Sequence, residues 1–220
     1  KKPGTANPFT ITQEYKIHQK ITLENIGDSS PDKQNLWVAL IRDVDPYQAV
    51  DSRIISPDQY QIVTDEFANQ YAEFNFSDHP AGTKIVVEIE YRVIVFEQIP
   101  DLSNCEGPLP DEFTSPELHI ESLNPQILSL SSSLSQDQNT VCDQLRAFYD
   151  YVGDELVYTY NQNDWGAQAA LGEMGADCTE YSSLMIALSR AAGIPARYFE
   201  GVLYKEHLQE EIAQTEHAWL

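Results

Sequence analysis

The first hundred residues alternate between apolar and polar positions with a period of two. Residues 9–25 carry Phe9, Ile11, Tyr15, Ile17, Ile21 and Leu23 on one side of an extended chain. Further short apolar or alternating runs follow, and they cover residues 36–44, 60–63, 71–76 and 85–96. Turn residues separate the runs, and no helical period appears. The pattern predicts an antiparallel β-sandwich over residues 1–100, which supports or presents the second half of the chain.

Residues 97–125 are too rich in proline and glycine for regular structure. The residues that break this stretch are Pro100, Gly107, Pro108, Pro110, Pro116 and Pro125. We predict a linker over residues 101–125 that packs on both domains.

The second half, residues 126–220, changes to a helical period. Apolar spacing predicts a helix over residues 137–152 ended by Gly153, and a short helix over residues 165–174. The clearest helix covers residues 178–192, with Asp177 as its N-cap and Gly193 just past its end. Extended pieces are predicted at residues 156–160, 196–204 and 214–220. The sequence therefore predicts an α+β fold class, a β-sandwich followed by an α+β domain.

The charge balance limits the partners of the chain. It has 13 basic and 35 acidic residues, a formal net charge of −22. Such a surface repels phosphate backbones and anionic lipid, so we expect no nucleic-acid partner. No run of 18 apolar residues exists, so we expect no membrane insertion. The polar start of the chain fits a mature terminus after signal removal and equally a trimmed chain. We favour an extracytoplasmic location slightly over a cytoplasmic one.

Three cysteines are present, so at least one stays unpaired if disulfides form. One interpretation pairs Cys105 with Cys142 and leaves Cys178 free. The other leaves all three reduced. Sequence alone does not place two Cα atoms within bonding range, so both interpretations stay open.

Cys178 begins the clearest predicted helix. Unpaired N–H groups and the positive end of the helix dipole face its thiol. The dipole stabilises an anion there by only ~0.3–1 kcal/mol, so a strong nucleophile also needs a base within hydrogen-bond reach.

His217 is the candidate base. The helix after Cys178 rises roughly 22 Å, and the next strand of about nine residues returns roughly 30 Å. A reversal then brings His217 close to the level of Cys178. Taken singly, a helical cysteine is more often a small core residue and a strand histidine more often structural.

A resemblance raises the weight of the catalytic interpretation. The residues that carry it are Gly175-Ala176-Asp177-Cys178-Thr179-Glu180-Tyr181, then Gly193-Ile194-Pro195-Ala196-Arg197, Gly201, and His217-Ala218-Trp219. In this order and over residues 140–220 they closely resemble the bacterial transglutaminase-like family, a relative of papain-type thiol enzymes. The β-sandwich is similar to the domain that often precedes this module.

The resemblance implies a nucleophile at Cys178 and a general base, later acid, at His217. The third member of the family's catalytic triad is an Asp on the following strand. It has no counterpart in this sequence before Leu220. We therefore interpret the chain as truncated, and we expect nothing within it to fix the tautomer of His217. The open strand edge at Leu220 is expected to pair with another chain or to be disordered.

The oxyanion of the reaction needs hydrogen-bond donors. The backbone N–H of Cys178 is one candidate. A second would come from the segment before the cysteine helix, where Gln162, Asn163 and Trp165 are the candidates.

The resemblance implies an enzyme that forms an acyl-thioester at Cys178 and passes the acyl group to water or to an amine. We favour a protease or amidase acting on protein or peptide over cross-linking. The alternatives are a non-catalytic module that binds a protein or cell-wall partner, and a scaffold piece of a larger protein. No cofactor is expected. A solvated surface is favoured over a metal site for the cluster Glu206, His207, Glu210 and Glu211.

Overall fold

The computed structural model describes residues 12–97, 99, 105, 108–161, 163–172, 175–204 and 216–220. The chain divides into two compact units on either side of residue 100.

The first unit is a sandwich of two antiparallel three-stranded sheets. Its strands are β1 (Thr12–Glu24), β2 (Asn35–Ala39), β3 (Gln48–Ser56), β4 (Gln61–Thr64), β5 (Gln70–Asn75) and β6 (Lys84–Phe96). One sheet has the order β1-β6-β3 and the other has the order β2-β5-β4. This confirms the predicted antiparallel β-sandwich.

The core of the sandwich comes from the alternation in the sequence. On β6, Val87, Ile89, Tyr91 and Val93 are buried, while Glu88, Glu90 and Arg92 between them are not. These four side chains pack in one cluster with buried residues in or directly after the strands of the other sheet, namely Val38, Leu40, Ala72, Phe74 and Phe76. Burial of one face of each sheet is the main stabilising contribution to this unit.

Strand β3 is an element that the periodicity did not indicate. It pairs with β6 along the edge of the sheet, and its register shifts between Val50 and Ser52. A β-bulge of this kind inserts an extra residue and moves the following side chains to the opposite face. The alternation is therefore broken in the middle of the strand, and the sequence reads as irregular.

The second unit is a helical core with a small hairpin. Its helices are α1 (Pro125–Ser135), α2 (Val141–Glu155), α3 (Ala167–Ala170) and α4 (Cys178–Ala191), and its strands are β7 (Phe199–Val202) and β8 (Glu216–Trp219). Helices α1, α2 and α3 contact α4. Along α4, every residue from Ser182 to Arg190 is buried, so this helix is the centre of the unit.

One expectation about the helices was wrong, and one helix was missed. Helix α2 runs through Gly153 to Glu155, because Gly153 lies on an exposed part of the helix and keeps a negative φ. Helix α1 was not predicted at all. Asn124 caps it by accepting a hydrogen bond from the N–H of Gln126, and Pro125 occupies its first turn.

The proline-rich joint makes contacts within the second unit. Its described part is tied to the second unit by backbone hydrogen bonds from Ala196 to Phe113 and from Ala167 to His119. Ile120 is buried in the helical core. Arg190 of α4 donates to the carbonyl of Ser115 and to the carboxylate of Glu117, the latter at 2.8 Å. This part of the joint is therefore built into the second unit.

A disulfide joins this segment to α2. Cys105 and Cys142 are bonded with their Cα atoms 5.8 Å apart, and Cys178 is free. The structure thus decides between the two interpretations of the cysteines. Within the described ranges, no helix has the length and apolar character that crossing a membrane would need.

Removing this disulfide is expected to destabilise the protein by about 4 kcal/mol, since it closes a long loop in the unfolded chain. The bonded cysteines are 37 residues apart. Urea unfolding of the double variant Cys105→Ser/Cys142→Ser measures the effect, with Cys178→Ser as the control for loss of a thiol. An unchanged unfolding midpoint in the double variant would contradict the expectation.

The two strands of the second unit form an antiparallel hairpin, in which Gly201 lies opposite His217. Both strands are shorter than predicted. The prediction that the free edge near Leu220 pairs with another chain stays a prediction. The linking residues 205–215, which include the cluster Glu206, His207, Glu210 and Glu211, lie outside the described residues.

Candidate active site

Cys178 lies in the first turn of helix α4, where the predicted N-cap is confirmed. The carboxylate of Asp177 accepts hydrogen bonds from the backbone N–H and the hydroxyl of Thr179, at 3.0 and 2.8 Å. Glu180 completes a capping box by accepting from the N–H of Asp177 at 3.1 Å. The start of the helix that carries the thiol is therefore fixed from both sides.

The cap is held in its charged form. Burial raises the pKa of Asp177, but hydrogen bonds from Asn161 and Thr179 outweigh burial and leave the pKa below its usual value. The N–H of Asn161 donates to this carboxylate at 3.0 Å. Asp177 therefore also ties the chain before the helix to the start of α4.

One N–H at the start of α4 is left over for a ligand. The N–H groups of Thr179 and Glu180 donate to the side chain of Asp177, and that of Tyr181 donates to its carbonyl. Among the described residues, the N–H of Cys178 has no acceptor. This N–H is the backbone group that we predicted from the sequence as a hydrogen-bond donor to the oxyanion.

The segment before α4 is held by Glu180, which is fully buried. Its carboxylate accepts from the N–H of Trp165 at 2.9 Å and from the side-chain amide of Asn161 at 3.1 Å. Because the backbone N–H of Trp165 donates to Glu180, its indole N–H is the group of Trp165 that could donate to an oxyanion. Asn163 is exposed, and Gln162 lies outside the described residues.

His217 belongs to a stacked row of rings on the hairpin. The imidazole lies over Trp219 with ring centroids 6.3 Å apart, and Trp219 lies over Phe199 with centroids 6.4 Å apart. A Cβ on Gly201 would come within 2.5 Å of the Trp219 ring, so only glycine leaves room for that ring. The glycine of the family pattern therefore serves the packing of Trp219.

Strand β8 contacts helix α4, so the elements that carry His217 and Cys178 pack on each other. Both side chains are half-buried. In the described part of the chain, no hydrogen bond joins the Cys178 thiol to the His217 ring. Catalytic hydrogen bonds are often long in a free enzyme and tighten when substrate binds.

Two tyrosines near the thiol were not predicted from the sequence as part of the site. Burial and then the nearby Cys178 raise the pKa of Tyr158, although 64% of that residue is exposed. Burial also raises the pKa of Tyr198 well above its usual range, with Glu200, Asp164 and Cys178 adding to the shift. Both phenols therefore stay protonated beside Cys178. No local motif marks them, because their position follows from tertiary packing.

Acidic groups flank the same region. The pKa of Glu200 is raised by burial and by the neighbouring carboxylates of Asp164 and Glu216. The carboxylates of Asp164, Glu200 and Glu216 therefore lie near one another. Among the residues that the structure describes, no three His, Cys, Asp or Glu side chains cluster as metal ligands would.

Comparison with known proteins places the second unit in context. Residues 129–220 match the model of the Transglutaminase-like superfamily. The chain is also 28% identical over 131 residues to the uncharacterized protein YebA of Bacillus subtilis strain 168. That alignment covers 50% of this chain and 18% of YebA, so the chain spans about a fifth of that relative's length.

Among solved structures, the chain resembles a candidate cysteine protease from Cytophaga hutchinsonii with a TM-score of 0.69. The identity is 18%, and the match covers 95% of this chain and 74% of the other. This likeness concerns the fold, including the β-rich part that precedes the helices. The periplasmic domain of TgpA from Pseudomonas aeruginosa is more distant, with a TM-score of 0.40 at 16% identity over 93% of this chain and 64% of the other.

Proposed function

Because residues 129–220 match the model of the Transglutaminase-like superfamily, we propose that this protein is a cysteine enzyme that hydrolyses peptide or amide bonds through an acyl-thioester at Cys178. The observation that carries the proposal is the free thiol in the first turn of α4, against which the strand of His217 packs.

The proposed reaction has two halves. His217 takes the thiol proton of Cys178, and the sulfur attacks the carbonyl carbon of the substrate. The carbonyl oxygen becomes an oxyanion, for which the N–H of Cys178 is a donor. The C–N bond breaks as the imidazolium returns the proton to the departing amine. His217 then takes a proton from water, which attacks the thioester. The carboxylic acid leaves as the C–S bond breaks, and the imidazolium returns its proton to the Cys178 sulfur.

An extended peptide is the substrate that the surroundings of Cys178 support best. The two residues that flank Tyr158 form hydrogen bonds with Ala176. The N–H of Thr159 donates to the Ala176 carbonyl at 2.8 Å, and the N–H of Ala176 donates to the Val157 carbonyl at 3.2 Å. In such a bridge, the N–H and C=O of Tyr158 point to the opposite edge. Within the described residues neither has a partner, so a peptide can add there as a strand.

Hydrolysis is favoured over transfer to an amine because the region is open. Tyr158 at this edge and the nearby Tyr160 are strongly exposed. Water therefore reaches a thioester formed at Cys178 without a closed channel, and a preferred amine would need a shielded site to compete with it.

An extracytoplasmic location is part of the proposal. The support for it is the disulfide between Cys105 and Cys142, since such bonds persist in oxidising compartments and are rare in the cytosol.

The test uses p-nitrophenyl acetate as the acyl donor. We expect a burst of p-nitrophenol equal to the enzyme concentration, because acylation of Cys178 precedes slower deacylation. Mass spectrometry should place the acetyl group on Cys178. Addition of glycine methyl ester should leave acetate as the main product. A dominant amide product would show amine transfer, and the absence of any burst or acetyl adduct would contradict the enzyme proposal.

A further inference from the structure

Glu180 is an unusual residue for the interior of this protein. It is 0% exposed, which is rare for a glutamate. No Lys or Arg pairs with it among the described residues, and four hydrogen-bond donors surround it instead. These donors are the N–H of Asp177, the hydroxyl of Thr179, the side-chain amide of Asn161 and the N–H of Trp165.

The four bonds divide evenly between two parts of the chain. Oε1 accepts from the Trp165 N–H at 2.9 Å and lies 3.0 Å from the Thr179 hydroxyl, whose one proton it shares with Asp177. Oε2 accepts from the Asp177 N–H and from the Asn161 amide, both at 3.1 Å. Each oxygen therefore joins the start of the nucleophile helix to the segment before it.

Capping alone does not require this burial. Helix α2 has the same capping box, formed by Thr140 and Asp143, and Asp143 is exposed. An exposed acid thus completes a capping box in this protein. The additional feature of Glu180 is its hold on Asn161 and Trp165, which bracket the exposed Asn163.

We propose that Glu180 is a positioning residue for the oxyanion. Its carboxylate fixes Asn161 and Trp165 against the first turn of α4, so that a donor from Asn163 or Trp165 stands beside the N–H of Cys178. The donor is the side chain of Asn163 or the indole of Trp165. This inference rests on the proposed function, since it concerns the acylation of Cys178.

Two reagents separate positioning from general structure. Acylation by p-nitrophenyl acetate forms a C–S bond and expels p-nitrophenolate, and it passes through a tetrahedral oxyanion. Alkylation by iodoacetamide forms a C–S bond and expels iodide at a saturated carbon, and it has no oxyanion. Loss of a positioned oxyanion donor therefore slows the first reaction and not the second.

The main variant is Glu180→Gln, which keeps the shape and turns one acceptor oxygen into a donor NH₂ group. We expect acylation of Cys178 to slow by about 100-fold, the effect of misplacing a catalytic group by about 1 Å. Alkylation at pH 8 should stay within about twofold of wild type. Equal slowing of both reactions, or unchanged acylation, would overturn the proposal.

A second variant, Asn161→Ala, covers the case in which Glu180→Gln does not fold. It removes one tie to the segment and leaves the capping box intact. We expect acylation to fall by about tenfold, with alkylation unchanged. The control is Asp143→Asn, which weakens the matching capping box of α2 and should lower the melting temperature without changing the ratio of the two rates.

Failure of the proposed function has a separate signature. A wild-type protein that gives no burst removes both the enzyme proposal and this inference. A wild-type protein that gives a burst, together with a Glu180→Gln variant that acylates equally fast, overturns the role of Glu180 alone.

Discussion

Replacing Cys178 with alanine is expected to abolish the p-nitrophenol burst and to lower turnover of the ester by about 10⁴-fold or more. No other group can form the thioester, because Cys105 and Cys142 are joined in a disulfide. Removal of a nucleophile leaves only the catalysis that binding and oxyanion donors supply. Stopped-flow absorbance and the mass of the intact protein measure both effects.

The matched control is Ser132→Ala on helix α1, an exposed hydroxyl in the same unit. It should keep the burst at wild-type size. Since Cys178 is half-buried, the alanine variant should also fold, and an unchanged circular dichroism melting curve would verify this. A burst that survives in Cys178→Ala would mean that the ester reacts elsewhere and that the thiol is not the nucleophile.

Replacing His217 with alanine is expected to slow acylation of Cys178 by about 10²–10⁴-fold, the usual contribution of a general base. The thiol would remain in its place at the start of α4, but its proton would have no acceptor on strand β8. The decrease should appear in the burst rate and not in the burst size. Single-turnover kinetics at neutral pH separate the two.

His18→Ala is the control for loss of an imidazole. His18 is an exposed residue of β1 in the first unit, and its removal should not change the burst rate. If His217→Ala acylates as fast as wild type, another base serves Cys178, or the thiol needs none.

The sequence predicts those elements whose burial follows a simple period. Strand β6 and helix α4 have strong apolar patterns and clear ends, and both occur close to their predicted bounds. Strand β3 was missed because a bulge breaks its alternation. Helix α1 was missed because one of its two buried positions is Ser131, whose hydroxyl donates to the carbonyl of Leu188.

In the candidate site, too, local features could be predicted from the sequence and tertiary contacts could not. The cap at Asp177 is a local signal, and the thiol follows it directly in the chain. The surroundings of Glu180 are not local, since Trp165 and Asn161 precede it by 15 and 19 residues. Likewise, Tyr198 comes near Cys178 only because the chain returns after α4. Such neighbours arise from packing, and a single sequence has no pattern that marks them.

The role of His217 as base to Cys178 can be measured without any substrate. Iodoacetamide alkylation of Cys178 is timed at pH 6 and pH 8 by mass spectrometry, in wild type and in His217→Ala. If the imidazole takes the thiol proton, wild type alkylates nearly as fast at pH 6 as at pH 8, and the variant loses most of its rate at pH 6. If both proteins slow equally between pH 8 and pH 6, the two side chains do not act together and the thiol enzyme proposal is wrong.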